Sequence, residues 1–339
     1  MVAKELTGEA LFAAGSGFQH WSGVATFLRC PHRPDMSNTD VGLIGFPYSG
    51  GNSVERMQYL GPRALRNRST AYRRIPRNFQ IDPFAMARVT DLGDVPLPSV
   101  LNPDLATKEA EAFYRRVHEL GIVPITVGGD HSITTPILRA ISGEHSRHKG
   151  PIGMIHFDSH SDTYPEMGGT RHHAGAAFRI GVEENLIDPA RTIQIGFHGP
   201  LAALTQDNWS RERFAVVTLQ DMIDRGVDWV ASEVHRVVGS GPAYLSFDLD
   251  VIDIAYAPAV ADPEVNGMTT RELFALLNKL RGVNLVGADI VCFCPPLDSP
   301  AQITALTASE ILLQFVTHVA DYRTRSDGSW TSNVAALQV

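Results

Sequence analysis

Six short apolar runs punctuate the chain beyond about residue 40. They are VGLIGFPY (41–48), VPITVGGD (123–130), IGMIHFD (152–158), TIQIGFH (192–198), AYLSFDLD (243–250) and VNLVGADIV (283–291). Each is near-continuous in Val, Ile and Leu rather than alternating with polar residues, the pattern of strands buried on both faces. Amphipathic stretches with helix punctuation lie between them. ATKEAEAFYRRVHELG (106–121) stops on a glycine, DMIDRGVDWVASEVHRVV (221–238) begins on an aspartate, and TTRELFALLNKLRG (269–282) has a Thr cap and a Gly stop. Strand followed by helix, repeated, predicts an α/β fold of three layers, α-β-α, around a mostly parallel central sheet. No repeat, low-complexity run or Pro/Gly-rich linker divides the pattern. Residues 36–322 are therefore expected to form a single domain, with 1–35 an N-terminal extension and 323–339 a C-terminal tail.

Composition narrows the class. The 339 residues are 44% apolar and 19% charged, ordinary for a protein with a sizeable core, and carry a formal net charge of -8. An acidic balance argues against a nucleic-acid partner, because phosphate binding needs a basic surface. Three cysteines (Cys30, Cys292 and Cys294) make no disulfide framework and predict a reducing, cytoplasmic setting. The first residues have no apolar core of signal-peptide length. No run approaches the roughly 18 apolar residues of a membrane span, so no membrane partner is expected.

The chemistry lies where three of the runs end. The first ends in Gly128-Gly129-Asp130-His131-Ser132, the second in Asp158-Ser159-His160-Ser161-Asp162, and the third in Asp248-Leu249-Asp250 followed by Asp253. Ligands of parallel sheets gather at the carboxyl ends of the strands. In extended chain, residues i, i+2 and i+4 share a face, which would bring Asp158, His160 and Asp162 together, and likewise Asp248 and Asp250. With His131 this makes four carboxylates and two imidazoles in one crevice. Buried carboxylates in such number repel unless cations lie among them, and two bridged divalent ions satisfy the electrostatics.

GGDHS, DSHSD and SFDLDVIDIAYAP resemble, in order and spacing, the three signature motifs of the ureohydrolases, the family of arginase and agmatinase. GFPYSGGNSVERMQYLGPRALR (45–66) is similar in outline to the family's N-terminal strand–loop–helix, and DSPAQITALTASEILLQ (298–314) to its last helix. The resemblance covers most of the chain and implies the arginase-like fold. It implies further that His131 and Asp162 bind one metal, that His160 and Asp250 bind the other, and that Asp158 and Asp248 bridge the two. Manganese is the family's usual metal, and the paired histidines also permit nickel, cobalt or iron. The reaction implied is attack of an activated water on the amidine carbon of a small guanidine-type substrate, with departure of a protonated amine. Homo-trimers or hexamers are implied too, with a paralogous subunit as an alternative.

The substrate side departs from the family. No Asn follows the second motif to hold an amino-acid carboxylate; Asp162-Thr163-Tyr164-Pro165 is the agmatinase-type continuation, and arginine is not expected as a substrate. The guanidinium-gripping glutamate after the last strand is replaced by Cys292 in Asp289-Ile290-Val291-Cys292. The family's Gly-Thr-Pro is Ala261-Asp262-Pro263, which puts Asp262 near the metals. The family's loop histidine aligns with Ala174, and His172 and His173 stand just before it. Cys292-Phe293-Cys294 is expected to be packing rather than a redox or metal-binding thiol pair. His235 and His318, on predicted helices, are expected to be ordinary surface or core residues. The expected function is an amidinohydrolase of unusual substrate, a biguanide or free guanidine, with Asp162, His173 and Asp262 catalytic and Asp262, Cys292 and His173 contacting substrate. The alternatives are an agmatinase or guanidino-acid hydrolase, and a non-catalytic subunit supporting an active paralogue.

Overall fold

The computed structural model of the protein describes residues 20–52 and 57–326. Residues 1–19 of the expected N-terminal extension, most of the expected tail, and residues 53–56 within GFPYSGGNSVERMQYLGPRALR lie outside the described residues. Eight parallel strands form one sheet: β1 (Val41–Phe46), β2 (Val89–Asp94), β3 (Val123–Gly128), β4 (Ile152–Phe157), β5 (Ile187–Phe197), β6 (Ala215–Thr218), β7 (Ala243–Asp248) and β8 (Leu285–Val291), in the order β2-β1-β3-β8-β7-β4-β5-β6.

The main helices are α1 (Gly61–Ser69), α2 (Pro103–Glu119), α3 (Thr134–Ile141), α4 (Ala177–Glu183), α5 (Leu219–Arg225), α6 (Val227–Val238), α7 (Thr270–Lys279) and α8 (Ile303–Ser326). Alternate residues of each strand feed two separate cores, as a pleated sheet covered on both faces requires. Val41, Leu43, Ile155, Phe157, Leu245 and Phe247 pack with α1, α6, α7 and α8 on one face. Ile44, Phe46, Ile152, Met154 and Tyr244 pack with α2, α3 and α4 on the other. The result is the expected three-layer α-β-α arrangement.

Two strands and one helix break differ from the sequence expectation. β2 (VTDLGD) hides Asp91 at 0% exposure in an otherwise apolar layer. The charge is matched by Arg66 of α1, whose Nε and Nη2 reach both Asp91 oxygens at 2.8 and 3.0 Å while its Nη1 reaches Asp94 at 2.6 Å. The same Asp91 carboxylate accepts from the backbone of Phe27 at 2.9 Å. Phe27 and Leu28 are buried against this layer, and the Pro31–Arg33 backbone exchanges hydrogen bonds with Asp91 along the outer side of β2. This part of the expected extension thus shields a sheet edge. β6 is a four-residue edge strand without a long apolar run. The helix expected over 221–238 is two helices, because Gly226 between α5 and α6 has φ +82, a left-handed turn that suits glycine.

Helix α8 is long and apolar enough to cross a membrane by length and composition, contrary to the expectation that no run approaches such a span. Its apolar window is 83% buried inside the fold, the behaviour of a core helix. His318 on it is buried and meets the edge of the Phe79 ring at 5.0 Å. His235 on α6 is exposed and reaches the Lys279 carbonyl at 2.9 Å. Burial pushes the His318 pKa from 6.5 down to about 4. Between those values the unfolded chain holds the extra proton, so the stability tied to the neutral ring is complete above about pH 6.5 and is lost as pH falls toward 4. His318→Gln is expected to flatten the decline of the urea midpoint over that window, by a few kcal/mol at most. An identical pH slope in variant and parent would refute this.

Candidate active site

The site lies across the carboxyl ends of the four central strands, β3, β8, β7 and β4. The chain passes from β3 to β4 by skipping two strand positions, which β8 and β7 later fill, so this is a topological switch point of the sheet. β3 delivers His131. Gly129 is required at the turn, since a Cβ there would lie 2.1 Å from the Tyr48 carbonyl oxygen. Asp130 is not turned to the cluster: it accepts from the backbone N–H groups of Ser132 (2.9 Å) and Gly51 (2.7 Å), fixing the turn that aims His131.

Strand alternation is not what brings the second motif together. β4 ends at Phe157, and Asp158–Asp162 is a loop in which Asp162 has φ +46. A left-handed aspartate folds the segment back, so that Asp158 and Asp162 converge on His131 while His160 turns to Asp250. Likewise β7 ends at Asp248. A tight turn over Leu249–Val251 follows, with the Asp250 N–H donating to Asp248 Oδ1 at 2.9 Å.

The geometry centres on two nitrogens. His131 Nδ1 lies 3.2 Å from Asp158 Oδ2, 3.0 Å from Asp162 Oδ2 and 3.2 Å from Asp248 Oδ2. His160 Nδ1 lies 3.1 Å from Asp250 Oδ2 and 3.4 Å from Asp158 Oδ1. Asp158 thus faces His131 with one oxygen and His160 with the other. All six expected ligands are drawn into one cluster.

The tautomer of His131 shows what the cluster can hold. Its Nε2 is 2.8 Å from Ser246 Oγ, which itself donates to Asp289 Oδ1 at 2.7 Å. A hydroxyl that donates to Asp289 accepts from the imidazole, so Nε2 carries the proton. Nδ1, fully buried, then faces three carboxylate oxygens at 3.0–3.2 Å. Burial lowers the pKa of this ring, but the carboxylates of Asp158, Asp162 and Asp248 hold it well above 6.5, so positive charge belongs between nitrogen and oxygens, as a proton or as the metal ion that would take its place. The donor set fits divalent metal ions: a neutral imidazole and carboxylates whose outer atoms are held by further hydrogen bonds. Without ions, burial and then the neighbouring carboxylates Asp250 and Asp158 push the Asp248 pKa well up. Asp162 rises to about 6 by burial and the charge of Asp158. The cluster thus draws in positive charge.

Several supporting residues were not singled out from sequence. His156 Nε2 donates to Asp158 Oδ2 at 2.8 Å, while Gln194 Nε2 donates to His156 Nδ1 (2.8 Å) and to the Ser161 carbonyl (2.7 Å). Asp289 accepts from Ser246, Thr134 and Tyr244. The one available signal was a lone polar residue inside an otherwise apolar strand: His156 in IGMIHF, Ser246 in AYLSFD, Asp289 in LVGADIV.

A cavity of about 160 Å³ opens onto the cluster, with Asn52, Tyr164, Met167, His173, Asp262 and Cys292 among its walls. No Lys or Arg lines it among the described residues. A larger open groove, about 790 Å³, runs between Arg68–Gln80 and α8, but no metal-type cluster among the described residues adjoins it. His173 lines the cavity, whereas His172 is not among its walls and lies 3.5 Å from Asp104. His173 Nε2 donates to the Pro165 carbonyl at 2.9 Å, which leaves Nδ1 as an acceptor, buried and unpartnered. Cys292 is on the cavity wall and Cys294 is fully buried; none of the three cysteines forms a disulfide.

A binuclear-type cluster at the switch point of this sheet defines a metal-dependent hydrolase of the arginase-like α/β class. The sequence pattern of the Arginase family matches residues 39–317. Guanidinopropionase of Pseudomonas aeruginosa is 40% identical over 308 residues, covering 90% of this chain and 95% of that protein. Guanidinobutyrase of the same organism is 36% identical, covering 87% and 92%. The mitochondrial agmatinase of Gallus gallus is 34% identical, covering 87% and 85%. The solved proclavaminate amidino hydrolase of Streptomyces clavuligerus superposes with a TM-score of 0.84 at 32% identity, covering 90% of this chain and 100% of that one. The chain belongs to the Arginase family, and it is a hydrolase of C–N bonds in linear amidines.

Ser246→Ala removes the acceptor that fixes the His131 tautomer. It is expected to weaken metal affinity about 10- to 100-fold, read by chelator competition, while leaving the fold intact. Unchanged affinity would show that the Ser246–Asp289 pair does not set the ring.

Proposed function

We propose that this chain hydrolyses a small guanidino compound, with a guanidino acid or agmatine as its conventional substrate class. His131 and Asp162 would hold one divalent ion and His160 and Asp250 the other, with Asp158 and Asp248 shared between them. Manganese is the family default and nickel the alternative. Two such ions supply Lewis acidity and activate water near neutral pH.

The remaining roles fall to the protein. Asp262 stands on the cavity wall with no hydrogen bond or ion pair among the described residues, and it supplies an anionic partner for a cationic head. His173, its Nε2 proton committed to Pro165, presents Nδ1 to accept a hydrogen bond or a proton. Excluding water around a bound cation makes the Asp262 charge count, since an unpaired buried charge costs several kcal/mol. The observation that carries the reading is this composition: an acidic, cation-free cavity opening on the Asp/His cluster. The names of the relatives, guanidinopropionase, guanidinobutyrase and agmatinase, point the same way.

The biguanide or free-guanidine reading draws less support, since none of those relatives is named for such a substrate. One observation still favours it. Cys292 stands on the cavity wall where the family glutamate is expected, so the bidentate grip on a simple alkylguanidinium is missing.

A substrate panel separates the readings. With Mn²⁺ or Ni²⁺ loaded, guanidinopropionate, guanidinobutyrate or agmatine is expected to turn over far faster than arginine, for which no Asn follows Asp162. Turnover confined to free guanidine or biguanides would select the second reading, and arginine matching the best substrate would refute the pocket assignment. No turnover at full metal content would instead indicate a supporting subunit.

The Asp262 contact has its own test. Asp262→Asn keeps the shape and removes the charge. It is expected to lower kcat/KM at least about tenfold, roughly 1.4 kcal/mol of transition-state binding, with metal content unchanged. Unaltered kinetics would leave Asp262 as a turn residue before Pro263.

A further inference from the structure

Cys292 does more at its position than occupy the space of a missing glutamate. It follows β8 directly and has φ +65, a left-handed backbone that non-glycine residues seldom adopt. Its backbone is clamped on both sides. The Cys292 N–H donates to the Gly129 carbonyl at 2.8 Å, and Phe293 bridges to Val260. This conformation places the side chain among the metal-facing groups. Sγ of Cys292, a ring nitrogen of His131 and a carboxylate oxygen of Asp248 all lie within 4.8 Å of one another. Cys292 is 4% exposed. A second, independent observation marks the same point: His131 Nδ1 is fully buried, has no hydrogen-bond partner, and is directed into the cluster.

We propose that Cys292 is a sulfur ligand to the ion held beside His131. The inference rests on the binuclear reading of the site and adds to it the nature of the donor set. On ligation the thiol releases its proton to solvent and a sulfur lone pair forms the bond to the ion, so metal uptake at this half of the site is accompanied by proton release. Carboxylate and imidazole donors alone leave manganese competitive. A thiolate donor moves preference toward cobalt, nickel or zinc. The half of the site at His160, which has no sulfur within its cluster of Asp158 and Asp250, keeps the harder donor set. The two positions would therefore differ in the ion each prefers.

Cobalt reports this directly, because thiolate–cobalt bonds give an intense near-ultraviolet charge-transfer absorption that oxygen and nitrogen ligands do not. The full chain is loaded with Co²⁺, and its cobalt content and absorption spectrum are measured for the parent and for Cys292→Ser. The expected result is two cobalt ions per chain and the charge-transfer band in the parent. In Cys292→Ser the band disappears while at least one ion remains, and the Ni²⁺:Mn²⁺ competition ratio falls at least about tenfold. Two bound ions without the band in the parent would overturn sulfur ligation and leave the binuclear reading standing. A band that persists in Cys292→Ser would belong to Cys30 or Cys294 and would likewise overturn it. Fewer than two ions in the parent would overturn the binuclear reading itself, and this inference with it.

Discussion

Three carboxylate oxygens crowd one nitrogen of a buried imidazole, and much of the molecule is arranged around that constraint. His131 Nδ1 has Asp158, Asp162 and Asp248 at 3.0–3.2 Å. Such a cluster, taken alone, opposes folding, because burial raises the free energy of each charge and proximity raises it again. It persists because the surrounding structure fixes it from several sides. Ser246 and Asp289 set the ring, Gln194 and His156 set Asp158, Ser159 holds Asp250, and Asp130 holds the turn before His131. Cations that enter bind the folded chain and not the unfolded one, so the repulsion that costs stability in their absence becomes a source of stability in their presence.

The sheet order is what lets these groups meet. Had β4 paired beside β3, the two motifs that follow them would lie on adjacent strands with little room between. Inserting β8 and β7 opens a crevice about three strand spacings wide, and those two strands bring Asp248, Asp250, Asp289 and Cys292 into it. The core on one face reaches this chemistry through Phe178, whose ring packs on His156 at 3.9 Å and on His131 at 5.3 Å. The part of both cores is to hold the strand ends in register, so that left-handed conformations at Asp162 and Cys292 are imposed rather than relaxed away.

The fold was legible wherever strands are buried on both faces, because such strands consist of little but Val, Ile and Leu. It was not legible at β2, whose Asp91 is neutralised by an arginine 25 residues earlier, nor at four-residue β6. The break at Gly226 was visible as a glycine, but its left-handed φ depends on how α6 packs. The candidate ligands stood out because three dense motifs each close a strand. The reason given for their convergence, strand alternation, does not hold: both motifs leave the strand before their second acidic residue, and turns do the work. His156, Ser246 and Asp289 were hidden for a related reason. A single polar residue in an apolar strand gives no sign of which face it takes or what it meets across three neighbouring strands.

The proposed substrate contact at Asp262 follows a different logic from the metal-facing groups, to which Cys292 belongs by position. Asp262 and Cys292 come from separate loops, yet those loops are laced together by the Val260–Phe293 bridge and by the hydrogen bond from Cys294 N–H to the Ala259 carbonyl. They line the same cavity. Relative to the family pattern, a carboxylate is missing on one side of this bridge and an additional one stands on the other. If Asp262 takes the guanidinium, as proposed, its carboxylate approaches from the other side of this bridge, and a bidentate grip depends on direction. Exchange of charge across a fixed backbone bridge can therefore change which guanidino compound fits without disturbing the strand ends that carry the cluster. That separation is physically available because the cluster is held by hydrogen bonds from the strands and the turns at their ends, whereas Asp262 makes none of them among the described residues.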